Sequence, residues 1–366
     1  MQTAIPCALM RGGSSKGLYF LGKDLPSEEA LRDRVLLAAM GGSDPRQIDG
    51  LGGAHPLTSK IAIVSPSALP GVDVDYLFVQ AVVGEDRVDL SPTCGNILAG
   101  VGPFALEKGL VTARGDITRV SVYMVNTGKI CELSVVTPGG CVSYDGEAAI
   151  DGVPGTGSPI ICDFPDAAGS SCGSLLPTGN VRDRIDGVDV TCIDSGMPVV
   201  LLRASDFGLS GEESPAELNR NESLKLRLNS LRLKLGPMMN LGDVTDKVIP
   251  KMSLLSAPRK GGNISTRTFI PHICHEAIGV LGAASVAAGC ILPGSLCEDF
   301  SIIESEAVIT VRVEHPSGHF DVTMELEKES EIPVIKKIGL LRTARMLMTG
   351  CVMVPASLWP GQGRES

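Results

Sequence analysis

One cysteine of this chain stands where a protein could use it for chemistry. Cys94 follows the polar, turn-rich segment 91–93 (Ser-Pro-Thr) and precedes the apolar segment 95–109. This pattern predicts a cysteine at the N-terminus of a buried helix, where free backbone N–H groups stabilise a thiolate and also bind a carboxylate. The alternative is a cysteine packed in the core as a small hydrophobic residue. The polar lead-in favours a functional Cys94.

A lysine beside a buried strand is the second candidate. Lys60 lies between a glycine-rich loop, residues 41–59, and an apolar strand predicted at 61–64. A lysine in such a place usually extends its amine along the apolar surface to water. If the amine is partly desolvated instead, burial favours its neutral form, which can act as a base. Lys60 is therefore a candidate general base.

The turn at 11–17, Arg-Gly-Gly-Ser-Ser-Lys-Gly, offers hydroxyls, backbone N–H groups and two cations. Its spacing differs from GxxxxGK(S/T), and no GxGxxG leads from a strand into a helix. Neither a nucleotide P-loop nor a dinucleotide site is predicted. The turn is instead suited to a small anion, with Ser14 and Ser15 as hydroxyl donors. Arg11 and Lys16 are nearby cations that could favour a neutral lysine base.

Three of the five histidines lie in segments that could touch a ligand. His272 and His275, in Pro-His-Ile-Cys-His, precede a second apolar helix, but no third ligand is placed to complete a metal site. A hydrogen-bonding role at the start of that helix is the simpler interpretation. His315, in Glu-His-Pro-Ser-Gly, occupies a turn between strands and is either structural or a substrate contact. No G-x-S-x-G elbow leads from a predicted strand into a predicted helix, which argues against a hydrolase triad.

The composition limits the class of protein. The 366 residues include 43 Gly and 24 Pro but only 4% aromatics, which is typical of many short strands joined by tight turns. A net charge of −10 argues against a nucleic-acid partner, although a local pocket can still be positive. There is no secretory signal, no apolar run long enough to cross a membrane and no CxxC pair among the 11 cysteines. We therefore expect a cytoplasmic protein with reduced thiols and neither metal nor membrane contact.

The elements that must position these residues repeat in the two halves of the chain. Each half has strands, then a buried helix rich in Gly and Ala, then strands, and Cys94 and Cys274 each precede such a helix. The predicted helices are 28–40 (capped by Ser27), 94–109, 214–235 (opened by a Ser214/Glu217 capping box), 275–289 and 338–348. The predicted strands are 4–10, 18–21, 61–64, one or two within 72–90, 119–124, 132–136, 250–257, 264–270, 301–313, 319–326 and 351–354.

This order of elements predicts an α/β (α+β) protein of two pseudo-repeated domains, each with a sheet around a central helix. The first domain is expected at 1–184, completed by the C-terminal segment 338–356. The second is expected at 185–337.

Several of the motifs together resemble the PrpF family. They are Met10-Arg-Gly-Gly-Ser-Ser-Lys-Gly17, Gly52-Gly-Ala-His-Pro-Leu-Thr-Ser-Lys60, Cys94-Gly-Asn-Ile97 and Glu314-His-Pro-Ser-Gly318. The resemblance runs through nearly the whole chain, from Ile5 to Pro355. The family includes aconitate and methylitaconate delta-isomerases and 4-oxalomesaconate tautomerases. The chain length and the segment 271–275 are most similar to the tautomerase branch.

The resemblance implies a fold similar to that of diaminopimelate epimerases, with two pseudo-symmetric halves and the active site in the cleft between them. It implies a catalytic pair, Lys60 and Cys94, a substrate serine at Ser15, no cofactor, and by analogy a homodimer. The other residues expected to bind substrate are Ser14, Gly95, Asn96, Met197, His272, His315, Ser317 and Gly318.

The reactions of the family imply an allylic proton shift in a small di- or tricarboxylate. A base removes a proton next to a carboxylate or an activated double bond, and the dienolate is reprotonated at the other end of the allyl unit. We expect Lys60 to abstract the proton and Cys94 to reprotonate the other carbon or polarise the dienolate. Which of the two is the base and which the acid stays open. The branch implies 4-oxalomesaconate as substrate, in aromatic-acid breakdown through gallate or protocatechuate.

Three alternatives stay open. The same residues would serve an isomerase of aconitate, 2-methylaconitate or methylitaconate. An epimerase would use one cysteine from each half, Cys94 and Cys274, although the family assigns proton transfer to the lysine. A protein that binds carboxylates without turnover belongs to a different class, and the presence of both Lys60 and Cys94 counts against it.

Overall fold

The protein is described by a computed structural model that covers residues 1–90, 94–165, 167–301, 303, 307–327 and 334–361. The chain forms two compact units. Unit 1 contains Met1–Asp163 and Leu341–Ser366, and unit 2 contains Phe164–Leu340. The C-terminal segment thus returns to the unit that begins the chain.

The described residues form seventeen strands and six α-helices. The strands are β1 (Gln2–Gly12), β2 (Ser15–Leu21), β3 (Lys60–Pro66), β4 (Val74–Ala81), β5 (Val88–Asp89), β6 (Ile117–Met124), β7 (Lys129–Val136), β8 (Ile160–Pro165), β9 (Asp183–Ile185), β10 (Val188–Asp194), β11 (Pro198–Arg203), β12 (Lys251–Ser256), β13 (Ile264–Phe269), β14 (Val308–His315), β15 (Gly318–Glu327), β16 (Val334–Arg342) and β17 (Ala344–Pro355). The helices are α1 (Glu29–Met40), α2 (Gly95–Leu98), α3 (Val101–Glu107), α4 (Pro215–Arg220), α5 (Glu222–Met238) and α6 (Val280–Cys290).

The two units repeat one pattern of strand pairing. In unit 1, β1–β2 is antiparallel, β2–β3 parallel, β3–β4 antiparallel, β4–β6 parallel and β6–β7 antiparallel. In unit 2, β10–β11, β11–β12, β12–β13, β13–β14 and β14–β15 follow the same alternation. By this order β3 corresponds to β12, and the central helices occupy the same place between strands. The predicted pseudo-repeat is confirmed.

Alternation along the strands gives each face of the unit 1 sheet its own helices. Leu18, Phe20 and Ile61 face α1 in one apolar core cluster. On the opposite face, Tyr19 packs its ring 5.7 Å from that of Phe104 in α3. α2 contacts β1, β2 and β3 on this second face. The side chains of the second face are therefore the ones that can work together with Cys94.

Unit 2 is built in the same three layers. α4 and α5 cover one face of its sheet, where Leu228 and Leu231 pack among the strand residues of the second core cluster. α6 covers the other face and buries every residue except Leu281. It is the hydrophobic central helix expected from its composition.

The predicted helix at 338–348 is wrong, because β16 ends at Arg342 and β17 begins at Ala344. Leu, Arg and Met give this segment a high helix propensity. Its tertiary setting decides otherwise: β17 pairs antiparallel with β1 along the whole length of that strand.

The bounds of the central helices also differ from prediction. The first is interrupted after Leu98 and resumes at Val101, where the ring of Tyr19 packs against Gly100. The second begins at Val280 rather than at 275. Cys274 therefore lies in the loop before α6, not at its N-terminus.

Helix capping is predicted correctly in one place and wrongly in another. The capping box of Ser214 and Glu217 at α4 is confirmed. The expected single helix ends at Arg220, however, and Asn221 caps a second helix, α5, which continues through Pro237 to Met238. Ser27 is not the cap of α1, because Glu28 holds that position without a side-chain bond.

Candidate active site

Lys60 is the first residue of β3, and its side chain lies on the sheet face that α2 covers. Its neighbours in register are Gly17 on β2 and Gln80 on β4. The side chain is 9% exposed, and its Nζ lies 5.0 Å from the centroid of the Phe78 ring. Nζ donates a hydrogen bond to Gln80 Oε1 at 2.9 Å. The amine is thus held against the sheet and is not extended to water.

Gln80 is a contributor to this site that sequence reasoning missed. Its Nε2 donates to the carbonyl oxygens of Ser59 at 2.9 Å and Pro56 at 3.2 Å. These bonds fix the amide, so that Oε1 points at Lys60. No local sequence pattern marks Gln80, because it meets Lys60 through the register of β3 and β4, which places the two residues opposite each other.

Replacing Gln80 with leucine is expected to lower kcat about tenfold, because loss of one hydrogen bond of ~1.4 kcal/mol lets the Lys60 amine leave its reactive position. Steady-state kinetics measure this effect. Gln2→Leu, on an exposed residue of β1, is the matched control and should behave as wild type. Equal kcat in Gln80→Leu and wild type would mean that Gln80 does not position the amine.

The β1–β2 hairpin rests on the first residues of α2. Gly13 has a φ of 51°, and a Cβ at this residue would collide with the side chain of Asn96. Asn96 Nδ2 donates to Ser14 Oγ at 3.2 Å. The glycine therefore lets the serine turn approach the residues next to Cys94, as the anion-turn interpretation requires.

Ser15 lies on the same sheet face as Lys60, because Ser15 and Gly17 alternate along β2 and Gly17 pairs with Lys60. The residue is 2% exposed, and its Oγ has no hydrogen-bond partner among the described residues. A buried hydroxyl without a partner costs free energy unless a ligand or water completes it. Ser15 is accordingly open to a substrate oxygen.

Cys94 is the N-cap residue of α2 and is partly exposed. Its carbonyl oxygen accepts bonds from the Leu98 N–H at 3.0 Å and the Tyr76 hydroxyl at 3.3 Å. Gly95 and Asn96 form the first turn, as expected. The polar lead-in at 91–93 lies outside the described residues. Cys94 is thus held by its backbone, and the residue is only partly buried.

Arg342 is a buried cation of unit 1 that sequence reasoning did not assign to the site. It is 2% exposed. Burial lowers the pKa of Arg342 to about 10, and the thiols of Cys162 and Cys94 act in the opposite direction. The Arg342 guanidinium and the Cys94 side chain therefore interact electrostatically.

Arg11 and Lys16 do not fill that role. They pair with each other across the hairpin, one residue out of step with Gly17, and so point to the opposite face from Lys60. Arg11 Nη1 donates instead to the carbonyl oxygens of Gly13 at 2.8 Å and Thr343 at 3.0 Å. The expectation that these two cations act on Lys60 is wrong.

The remaining candidates lie in unit 2. His315 ends β14, is 6% exposed and has its Nδ1 3.3 Å from Ser317 Oγ, while Gly318 pairs with it across the hairpin. Met197 precedes β11 at the tip of a hairpin, and its carbonyl oxygen accepts from Ser285 of α6 at 2.6 Å. His272 is an exposed loop residue ahead of α6.

Cys274 and His275 have other surroundings. Cys274 is 2% exposed and packs in the core cluster on the face away from α6. Burial raises the pKa of its thiol to about 11, although Arg267 lowers it in part. His275 Nδ1 accepts from the Ala277 N–H at 2.8 Å in the loop before α6. No group of three His, Cys, Asp or Glu side chains within the described ranges could hold a metal.

The PrpF protein family profile matches residues 2–355. The chain belongs to the PrpF family. It is 56% identical to the 4-oxalomesaconate tautomerase of Pseudomonas putida, covering 98% of this chain and 99% of the relative. It is 53% identical to the (4E)-oxalomesaconate Delta-isomerase of Novosphingobium sp. strain KA1, covering 95% and 97%. The family expected from the motifs is confirmed.

Solved structures place this PrpF protein in the expected fold. A methylitaconate-delta-isomerase matches with a TM-score of 0.85 at 33% identity, covering 100% of this chain and 99% of that one. A hydroxyproline epimerase from Agrobacterium vitis shares the fold alone, with a TM-score of 0.53 at 11% identity over 96% and 92%. The predicted epimerase-like fold class is therefore confirmed. Where the chain is described, its helices are too short or too polar to span a membrane.

Proposed function

We propose that this PrpF protein is an isomerase that shifts a proton along the allyl unit of an unsaturated tricarboxylate, with 4-oxalomesaconate as substrate. The reaction type rests on the buried Lys60 amine, which shares one sheet face with the Ser15 hydroxyl and with α2, the helix capped by Cys94. The choice of substrate is supported by the activities for which the two similar relatives are named.

Lys60, in its unprotonated form, takes the proton from the carbon next to the activated double bond. The C–H bond breaks and its electron pair spreads over the diene onto a carboxylate oxygen, giving a dienolate. Cys94 then donates a proton to the far carbon, where a new C–H bond forms, and the proton on Lys60 returns to Cys94 through solvent. The double bond has moved, and no electron is gained or lost.

The carboxylates of the substrate are held by polar groups beside the pair. Because Asn96 donates to Ser14, the hydroxyl proton of Ser14 stays free for a carboxylate oxygen, and Ser15 offers a second hydroxyl. The buried charge of Arg342 stabilises negative charge that develops near Cys94. In unit 2 we assign substrate contacts to Met197, His272, His315, Ser317 and Gly318.

A 1H NMR time course in D2O tests this proposal. The purified protein is incubated with 4-oxalomesaconate and, in parallel, with cis-aconitate, trans-aconitate, 2-methylaconitate and methylitaconate. We expect deuterium incorporation together with double-bond migration in 4-oxalomesaconate alone.

Other results would change the assignment in defined ways. Turnover of an aconitate or of methylitaconate would keep the proton shift and replace the substrate. Deuterium entering a stereocentre without movement of the double bond would point to an epimerase. Binding of the acids without any exchange would remove the enzymatic function.

A further inference from the structure

One side chain lies at the centre of the glycine-rich loop, residues 41–59, that leads into Lys60. Gln47 is 2% exposed, although glutamine is mostly an exposed residue in proteins. A Cβ at Gly52 would collide with the Gln47 amide, and a Cβ at Gly41 would come within 2.8 Å of the Gln47 Cα. The loop is therefore folded around this glutamine.

The conformation of Gln47 is unfavourable in two respects. Its φ is 49°, in the left-handed region that residues other than glycine, asparagine and aspartate rarely adopt. Its Nε2 is buried and has no hydrogen-bond partner among the described residues. Local strain persists only where the surrounding structure imposes it, and it is concentrated at functional sites.

The oxygen of the same amide binds the residue that precedes Lys60. Gln47 Oε1 accepts hydrogen bonds from the Ser59 hydroxyl at 2.6 Å and from the Ala54 N–H at 2.8 Å. Ser59 is fully buried, so loss of this acceptor would leave its hydroxyl unsatisfied. Gln47 thus anchors the end of the loop at the point where β3 begins.

The backbone of Ser59 is held from its other side by β4. Its carbonyl oxygen accepts from Gln80 Nε2 at 2.9 Å and from the Ala81 N–H at 3.1 Å. Gln80 Oε1 in turn accepts from Lys60 Nζ. A continuous series of hydrogen-bonded groups therefore connects Gln47, through Ser59 and Gln80, to the Lys60 amine.

We propose that Gln47 is a positioning residue for Lys60. It anchors Ser59, and this holds the first residue of β3 where the amine meets Gln80. The inference rests on the proposed function, in which Lys60 is the base. All four residues belong to unit 1.

Kinetics of two variants of the full-length protein test this role. Gln47→Met and Gln47→Asn both withdraw the acceptor from Ser59, because methionine has no amide and asparagine carries its amide about 1.5 Å closer to the backbone. We expect kcat for 4-oxalomesaconate to fall about tenfold in both variants, with the Michaelis constant nearly unchanged. Deuterium incorporation in D2O should fall together with isomerisation, since both need the first proton abstraction.

Thermal unfolding separates positioning from stability. Asparagine adopts the left-handed region more readily than methionine, so Gln47→Asn should unfold at a higher temperature than Gln47→Met. A positioning role predicts equal losses of kcat in two variants of different stability. Asp186→Met, at another left-handed residue (φ 50°) in the turn between β9 and β10, is the control and should leave kcat unchanged.

A double-mutant cycle tests whether Gln47 acts through Ser59. Ser59→Ala should lower kcat about as much as Gln47→Met, and the double variant should be no slower than either, because both changes remove the same hydrogen bond. Crystal structures give a measure that does not depend on turnover. The 2.9 Å contact between Lys60 Nζ and Gln80 Oε1 in this structure should lengthen beyond about 3.5 Å in Gln47→Met.

Four results would overturn the proposal. They are a kcat within about threefold of wild type in both Gln47 variants, losses of kcat that follow the unfolding temperatures of the two variants, additive losses in the double variant, and an unchanged contact of Lys60 with Gln80 in crystals of Gln47→Met. Wild type that moves no proton in 4-oxalomesaconate or in the other acids would refute the proposed function. The crystal structures would then still decide whether Gln47 positions the amine.

Discussion

Turnover of 4-oxalomesaconate by the Lys60→Met variant is expected to be roughly 10²–10⁴-fold slower than by wild type, the usual contribution of a positioned base. The Michaelis constant should change little, because the amine acts on the reacting C–H bond and not on a carboxylate. Methionine fills the space beside Phe78 and leaves only Gln80 Oε1 without its donor. The variant should therefore lose turnover while it remains folded.

Steady-state kinetics and solvent exchange in D2O measure this effect together. Lys60→Met should lose deuterium incorporation and double-bond migration to the same extent, because both need the first proton abstraction. Lys16→Met is the matched control, since Lys16 lies one strand away and faces the opposite side of the sheet. A Lys60→Met variant within about tenfold of wild type would exclude Lys60 as the base.

The catalytic and substrate-binding residues of unit 1 could be predicted from the sequence because short segments around them indicate their positions. The serine turn, Lys60 and Cys94 each lie next to a glycine-rich turn or a strand edge, and these short-range patterns predict a hairpin, a strand start and a helix start. The structure brings the serine turn and Lys60 together through the β1–β2 hairpin and the β2–β3 pairing. It connects the turn to the Cys94 region through the hydrogen bond from Asn96 to Ser14. Local pattern and sheet register agree at this site.

Gln80 and Arg342 could not be found in this way. Gln80 meets Lys60 only through the register of two strands, and Arg342 lies in the last strands of the chain, far from Cys94 in sequence. Their roles depend on long-range pairing, which a residue pattern does not encode.

The wrong predictions have the same origin. Residues 338–348 have helical propensity but form strands, because the segment that becomes β17 pairs with β1 along the whole length of β1. The sequence pattern makes Cys274 equivalent to Cys94, since both precede an apolar helix, yet α6 begins only at Val280 and the loop turns Cys274 into the core. In both places, long-range packing determines the local structure, which the local sequence does not.

Replacing Cys94 with alanine is expected to separate the two halves of the reaction. If Lys60 is the base and Cys94 the acid, Cys94→Ala still removes the first proton and returns deuterium to the same carbon. Reprotonation at the far carbon loses its donor, so isomerisation should fall roughly 10²–10⁴-fold while exchange at the first carbon falls much less. A 1H NMR time course in D2O reports both rates in one sample.

The reciprocal result has an equally definite meaning. If Cys94→Ala abolishes exchange while Lys60→Met retains it, Cys94 is the base. Cys141→Ala, on an exposed free cysteine, controls for the loss of a thiol as such and should match wild type. Full isomerisation by Cys94→Ala would exclude the thiol from proton transfer. Burial raises the pKa of the Cys274 thiol to about 11, whereas Cys94 is only partly buried, is the N-cap residue of α2 and interacts with the charge of Arg342. Cys94, and not Cys274, is therefore the cysteine placed to take part in the reaction.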